Sequence, residues 1–372
     1  MHNYAARCAK VGAKLRDEGL AACMFRDAEG ARDLSVRYLS GQPGDAILVV
    51  SAEGRSVLAA WDVNMARSMA RADEILPYTD FKRMPTEALA GILPRLGVKP
   101  GSRVEIPGAT SYPAYADFVE ALADYDLVCR DGGMTDQVLS MRAVKDDEEM
   151  RIYRRAVKIT DDIADAIEAG VRSGSLATEL DIGIFIEREC RLRGCEGTGF
   201  ETLAAGPGRS FGIHAFPPFG SGPFGTRGLS ILDFGLKLEG YTTDVTMGFA
   251  RGPLDPAAER MIELVQRAHD ECVAMCAPGV STRDIALRAD AIFAEAGLAM
   301  PHGLGHGVGL EAHEAPSVRS REGNEDVLAP GHIITIEPGL YDPELGGIRL
   351  EDDVIVTDKG HEVITHSRIV RL

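Results

Sequence analysis

A helix, a turn, a second helix and a glycine stop occur twice in this chain. The first copy is IEAGVRSGSLATELDIGIFIERECRLRGCEG (167–197) and the second is AMCAPGVSTRDIALRADAIFAEAGL (274–298), about 105 residues later. Each runs into β-rich sequence, ILDFGLKLEGYTTDVTMGFARG after the first and HIITIEPGLYDPELGGIRLEDDVIVTDKG after the second. A duplicated helix–helix–hairpin unit suggests two halves packed around a shared cleft.

Each hairpin carries acids where a half-buried strand does not want them. Asp233 lies in SILDFG and Asp244 in YTTDVT. A turn centred on Leu238 and Glu239 would set 233 directly opposite 244, and like charges so placed are destabilising unless neutralised. Glu337 (TIEPG) and Glu351 (IRLEDD) occupy corresponding places, 104 and 107 residues further on. Strand alternation puts Arg349 on the same face as Glu351. Buried charges must be paired or must coordinate a metal. Four carboxylates with an imidazole suit Mn²⁺, Co²⁺ or Zn²⁺. They are enough to chelate and bridge two ions, as in metal-assisted hydrolysis.

The imidazoles come from HGLGHGVGLEAHE (302–314), with His302, His306 and His313. Its alternating glycines, Gly303, Gly305, Gly307 and Gly309, each cost about 1 kcal/mol against alanine in a helix. The spacing therefore predicts an extended or looping segment whose backbone passes close to something. One histidine supplies the fifth ligand, and the other two face the substrate.

The rest of the chain bounds the function. Its 372 residues suggest two domains. A net charge of −17 repels a phosphate backbone and argues against nucleic acid. No apolar run reaches the roughly 18 residues of a membrane span, and the N-terminus lacks the apolar core of a signal peptide. Seven cysteines form no CxxC pair. Cys272 and Cys276 fall on the buried stripe of an amphipathic helix, so they read as core packing. A reducing, cytoplasmic location follows. Residues 1–135 read as a structural or oligomerising domain, with strands at 47–50, 56–60 and in SRVEIPG. Asp146 with Glu149 forms an acidic capping box. Ile152, Ala156, Ile159, Ile163 and Ile167 then share one helical face, which marks the entry into a second domain, 136–372.

GFETLAAGPG, His214, DFGLKLEGYTTDVT, HGLGHGVGLEAHEAP, TIEPGLY and GGIRLEDDVIVTDKG occur in that order. In order and spacing they resemble the creatinase/aminopeptidase P/prolidase family of metallopeptidases (M24). The resemblance is dense from about residue 140 onward and looser before it. It implies an α+β chain whose C-terminal catalytic domain has the pita-bread fold, with an internal pseudo-twofold repeat, behind a smaller α/β N-terminal domain. It also implies two divalent ions, Mn²⁺ or Co²⁺ ahead of Zn²⁺, held by Asp233, Asp244, His306, Glu337 and Glu351. Asp244 and Glu351 would bridge the ions, Asp233 would hold one, and His306 with Glu337 the other. A bridging hydroxide would attack an Xaa-Pro bond, with Glu337 taking its proton. His302 and His313 would contact the scissile carbonyl or the prolyl carboxylate. His214 would stand on the substrate side, and Arg349 would orient the acids. The implied partners are a small proline-containing peptide and a second copy of the chain. His2, His269, His332, His361 and His366 match nothing in the family.

The pattern departs in three places. Met247 in DVTMG stands where an arginine is expected, the glycine-rich stretch from Gly220 to Gly228 replaces a short turn, and WDVNMAR is unusual. Trp61, the only tryptophan, reads as core or interface packing, with a substrate contact across a dimer as the alternative. These departures leave open a creatinase-like C–N hydrolase, a metal-dependent lyase or hydrolase of a small solute, and a non-catalytic peptide-binding module.

Overall fold

The computed structural model describes residues 3–372, so His2 lies outside the described residues. The chain forms two compact units, Met1–Arg142 and Ala143–Leu372.

The first unit is built on one six-stranded sheet. Its strands are β1 (Ala22–Asp27), β2 (Ala46–Ser51), β3 (Ser56–Ala60), β4 (Glu74–Pro77), β5 (Arg103–Glu105) and β6 (Asp126–Val128), in the order β4-β3-β2-β1-β5-β6. The expected strands at 47–50, 56–60 and in SRVEIPG are all present. β2 and β3 are buried along their whole length, because helices cover the sheet: α1 (Tyr4–Asp17), α2 (Ser35–Ser40), α3 (Val63–Met69), α4 (Pro85–Ile92), α5 (Tyr112–Ala121) and α6 (Met134–Ala143). Trp61 is not in this core. It is 57% exposed, with the Arg83 guanidinium over its ring. It follows β3 directly, at the point where the chain leaves the sheet for α3.

The second unit opens with α7 (Asp147–Ser173) and α8 (Glu179–Leu192). The capping box read from sequence starts α7: Asp146 accepts from the Glu149 amide, and Glu149 accepts from the Asp146 amide. Of the five residues expected on its apolar face, Ile152, Ala156, Ile163 and Ile167 are buried along one side of it and Ile159 is only half-buried. After β7 (Gly197–Thr198) and β8 (Leu203–Ala205) comes the first hairpin: β9 (Gly228–Phe234), β10 (Leu236–Leu238), β11 (Tyr241–Thr242) and β12 (Val245–Arg251). The second pair of helices is α9 (Pro256–Met275) and α10 (Thr282–Ala294). Cys272 and Cys276 are buried within the core around them, as expected. Then follow β13 (Gly305–Gly307), β14 (Glu314–Val318), β15 (Ile333–Ile336), β16 (Gly339–Asp342), β17 (Gly346–Arg349), β18 (Asp352–Thr357), β19 (Gly360–Val363) and β20 (Ile369–Arg371). The two halves therefore repeat as helix pair and hairpin, the first on the sheet β20-β12-β9-β8 and the second on β14-β13-β15-β18-β19.

The first hairpin corrects one expectation. Its turn is Glu239–Gly240, both with positive φ (51° and 93°), one residue beyond the expected centre. Asn, Asp and Gly favour such a two-residue turn, and Gly240 supplies it here. The shift carries into the long ladder, where Asp233 pairs with Thr246 and not with Asp244. Asp244 sits just before β12, diagonal to Asp233 on the same face. In the second hairpin Ile336 pairs with Asp352 and Gly339 with Arg349. The same register sets Glu337 opposite Glu351, in the gap between the two ladders.

A candidate metal centre between the two hairpins

The hairpins meet at one antiparallel bridge, between Thr246 and Glu351. Continuing the pairings across it gives a row over four strand positions: Asp233, Thr246, Glu351, Glu337. Asp244 lies two residues before Thr246 on the same face. The topology thus delivers four carboxylates to one place from two distant stretches of sequence.

His306 reaches this place from β13. The Thr335 hydroxyl accepts from its backbone amide, and its Nδ1 lies 3.1 Å from the Gly307 carbonyl. A carbonyl there requires a proton on Nδ1, which leaves the Nε2 lone pair facing the acids. Nε2 lies 3.6 Å from Glu337 and 3.9 Å from Asp244. The donor atoms of Asp244, His306 and Glu351 all lie within 4.8 Å of one another, and all three residues are buried. The glycines permit this approach. A Cβ on Gly305 would stand 2.0 Å from the Thr335 carbonyl oxygen, and one on Gly307 would stand 2.0 Å from that of Ala315.

The electrostatics show what these groups lack on their own. Burial, then the charges of Glu351 and Asp233, pushes the Asp244 carboxyl far above the usual range. Burial, then Glu337 and Asp233, does the same to Glu351. Glu337 is pushed up to about 7, chiefly by burial. Packed carboxylates resist ionising together unless a cation is shared among them. Burial also pushes His306 down to about 3, so its ring is neutral and free to act as a ligand. Asp233 keeps one buried oxygen, Oδ1, without a hydrogen-bond partner. This donor set fits divalent metal ions: hard carboxylate oxygens, one imidazole nitrogen, and a buried Asp233 oxygen left without a partner.

A second set of side chains holds the acids. Arg349, 2% exposed, donates from Nη2 to Asp233 Oδ2, from Nη1 to the Tyr341 hydroxyl (2.9 Å) and the Ile213 carbonyl (3.3 Å), and from Nε to the Thr246 hydroxyl (3.1 Å). The Thr246 hydroxyl donates to Glu351 Oε2 at 2.6 Å. Asp353 Oδ2 accepts from the Asp244 amide at 3.0 Å. Thr246, Tyr341 and Asp353 were not singled out from sequence. The signal available was alternation: residues two apart from a ligand on a strand share its face. That places Thr246 with Asp244, and Asp353 with Glu351.

The remaining histidines differ in what they can do. His302 Nδ1 lies 2.7 Å from the Gly303 carbonyl and Nε2 lies 3.0 Å from the Tyr341 hydroxyl, so both nitrogens are already engaged. Burial pushes its pKa down to about 4. His313 is exposed and its ring lies 4.1 Å from that of His306. His214 is also exposed, and close enough to His302 and His313 for its charge to act on both. Met247 is fully buried opposite Leu232, on the strand face away from Thr246. It therefore does not line the site.

A putative dipeptidase of Bacillus subtilis, YkvY, is 35% identical over 226 residues, which are 60% of this chain and 61% of that protein. An uncharacterized peptidase of the same organism, YqhT, is 30% identical over 342 residues, 90% of this chain and 91% of the relative. The solved structure of an Xaa-Pro dipeptidase from Bacillus anthracis superposes with a TM-score of 0.84 at 25% identity. That match covers 99% of this chain and 100% of the other. The fold is the pita-bread fold with a smaller N-terminal domain, as expected. Residues 128–358 match the model of metallopeptidase family M24, and the chain belongs to that family.

Proposed function

We propose that this chain is a dinuclear metal-dependent hydrolase of Xaa-Pro bonds in small peptides. The observation that carries the reading is the buried gathering of Asp244, His306 and Glu351, with Asp233 and Glu337 beside it. Xaa-Pro dipeptidase is the description of the Bacillus anthracis structure that this chain superposes on over nearly its whole length. In this reading Asp233, Asp244, His306, Glu337 and Glu351 hold two ions, Mn²⁺ or Co²⁺ ahead of Zn²⁺. When bound, such ions acidify a water and polarise the scissile carbonyl.

The chain's own residues do the rest. Glu337 accepts a proton at its carboxylate, and Arg349 keeps Asp233 turned toward the site. His313 and His214, both exposed at the cleft, face the substrate. His302 holds Tyr341, and through it Arg349, and reaches substrate only by releasing that hydroxyl. Arg319 packs its side chain over Gly303, and its charge acts on His306, His313 and Glu337. A guanidinium there suits the free carboxylate of a dipeptide, which favours dipeptides over longer substrates. The protein works in the cytoplasm as a homodimer in this reading. Among the described residues no helix is long and apolar enough to cross a membrane.

The test is hydrolysis of Ala-Pro, Met-Pro and a longer Xaa-Pro peptide after loading with Mn²⁺, Co²⁺ or Zn²⁺, with His306→Ala in parallel. Release from the dipeptides, abolished by chelation and reduced at least about 10³-fold in the variant, is the expected outcome. Two ions bound with no proline bond cut would refute the substrate. No ion bound under any condition would refute the site.

A further inference from the structure

One buried carboxylate is used by none of the roles above. Glu179 is the first residue of α8 and is 1% exposed. Its Oε1 accepts from the Gly206 amide at 2.8 Å, and its Oε2 accepts from the Gly220 amide at 2.8 Å. Arg209 completes the set, with Nε 3.1 Å from Oε1 and Nη2 2.9 Å from Oε2. Gly206 and Gly220 are the two ends of a loop, so a single side chain on the helix closes its base. The Glu179 amide also donates to the Gly222 carbonyl at 3.0 Å, fixing the chain just beyond that closure.

What the loop carries gives the closure its meaning. The Ser210 hydroxyl donates to the Leu229 carbonyl (2.8 Å) and accepts from the Gly347 amide (3.0 Å), joining the loop to the start of β9 and to β17. The Ile213 carbonyl accepts from Arg349, the residue that clamps Asp233. His214 follows directly, and Phe216 stands 92% exposed on the crest. Loop position and the hold on Arg349 are therefore mechanically linked.

We propose that Glu179 is a positioning residue: it clasps loop 206–220 so that Ile213 and His214 stand ready beside Arg349 before substrate arrives. This rests on the reading of the site as an Xaa-Pro hydrolase for its kinetic consequence, but not for its structural one. A carboxylate accepting from two amides and a guanidinium makes charge-assisted bonds, about twice as strong as neutral ones. Without it, substrate must order the loop on binding, and that entropy weakens affinity more than it slows the bond-breaking step.

The experiment uses the metal-loaded full chain. Residue-resolved hydrogen exchange is combined with kcat and KM for Ala-Pro, in wild type and Glu179→Gln, with Arg209→Met as the milder second variant. In Glu179→Gln an amide group faces one of the two backbone donors. Exchange at Gly206 and Gly220 should then accelerate about tenfold or more, and so should exchange at Gly347. KM should rise about tenfold with kcat within about threefold and both ions retained; Arg209→Met should move the same way, less far. If Gly206 and Gly220 loosen while Gly347 and KM keep their wild-type values, the carboxylate is a local staple and the proposal is overturned. If wild type cleaves no Xaa-Pro substrate, the functional reading is what fails, and the Gly347 amide alone then decides for or against the clasp.

Discussion

The two hairpins share a plan and differ in what they contribute. The first supplies Asp233 and Asp244 but little of what holds them. Arg349, from the second hairpin, clamps Asp233, and Asp353, also from the second, accepts from the Asp244 amide. Besides the backbone bridge at Thr246, the first hairpin returns one side-chain bond to the second hairpin's ligands, from the Thr246 hydroxyl to Glu351. Their flaps differ too. β10 pairs with β11 on one side and β7 on the other, and the Thr242 carbonyl there accepts from the Tyr153 hydroxyl of α7, whereas β16 and β17 form a ladder of their own. Duplication gave two sites for acids, but the supports became concentrated in one half. Disturbing the second hairpin should therefore damage the whole centre, while disturbing the first should damage it less.

Arg349→Lys is the strongest way to break that comparison. A lysine keeps the charge but cannot serve Asp233, Tyr341, Ile213 and Thr246 together, because it lacks the planar fork. Activity at saturating metal should fall about 10–100-fold, the usual effect of losing a residue that orients metal ligands. Calorimetric titration should show both ions bound more weakly, the one held by Asp233 most. Equal weakening of both sites would mean that the clamp does not belong to the first hairpin's ligand.

Thr246→Val probes the return made through this hydroxyl. It keeps the shape and removes only the hydroxyl between Arg349 and Glu351. Losing the hydroxyl's bonds to Arg349 and Glu351 should together cost about 1.5 kcal/mol, close to a tenfold fall in kcat/KM, and Thr246→Ser should stay near wild type. A larger loss than in Arg349→Lys would reverse the asymmetry.

The same contrast explains what could be read in the sequence. The duplication was legible because helix pairs and glycine stops are local patterns. The acids stood out because they interrupt apolar strands, and the resemblance fixed which histidine joins them. The register of the first hairpin was not legible to the residue. A turn centred one position late moves each strand partner by two, which kept Asp233 and Asp244 on one face but put Thr246, not Asp244, opposite Asp233. Supports such as Tyr341 and Asp353 escaped because their importance lies in contacts across 8 to 109 residues of sequence, and no spacing encodes such contacts. Met247 looked like a departure in the site, yet alternation turns it into the core.

The smallest expected effect concerns how the second hairpin is tied to its helix. His269 of α9 places Nε2 3.1 Å from Asp352 Oδ2, and its Nδ1 is 3.4 Å from Asp270. Asp352 follows Glu351 directly and also accepts from the Ser367 amide and from the Thr365 and Ser367 hydroxyls. Burial opposes a charged imidazole here, but the neighbouring carboxylates of Asp352 and Asp270 outweigh it, so the His269 pKa is raised. A group that binds its proton more tightly in the folded state stabilises the fold fully below its unfolded pKa of about 6.5. That contribution is lost as pH rises through the higher folded value. The difference in Tm between wild type and His269→Leu should accordingly be largest near pH 5.5 and shrink above about pH 6.5. An ion pair of this kind contributes about 1 kcal/mol, which is roughly 2–4 °C in a unit of this size. A difference that stays flat from pH 5.5 to 8.5 would show that the imidazole is neutral throughout. The tie would then be an ordinary polar contact, and the second hairpin would hold the centre through its strand pairing alone.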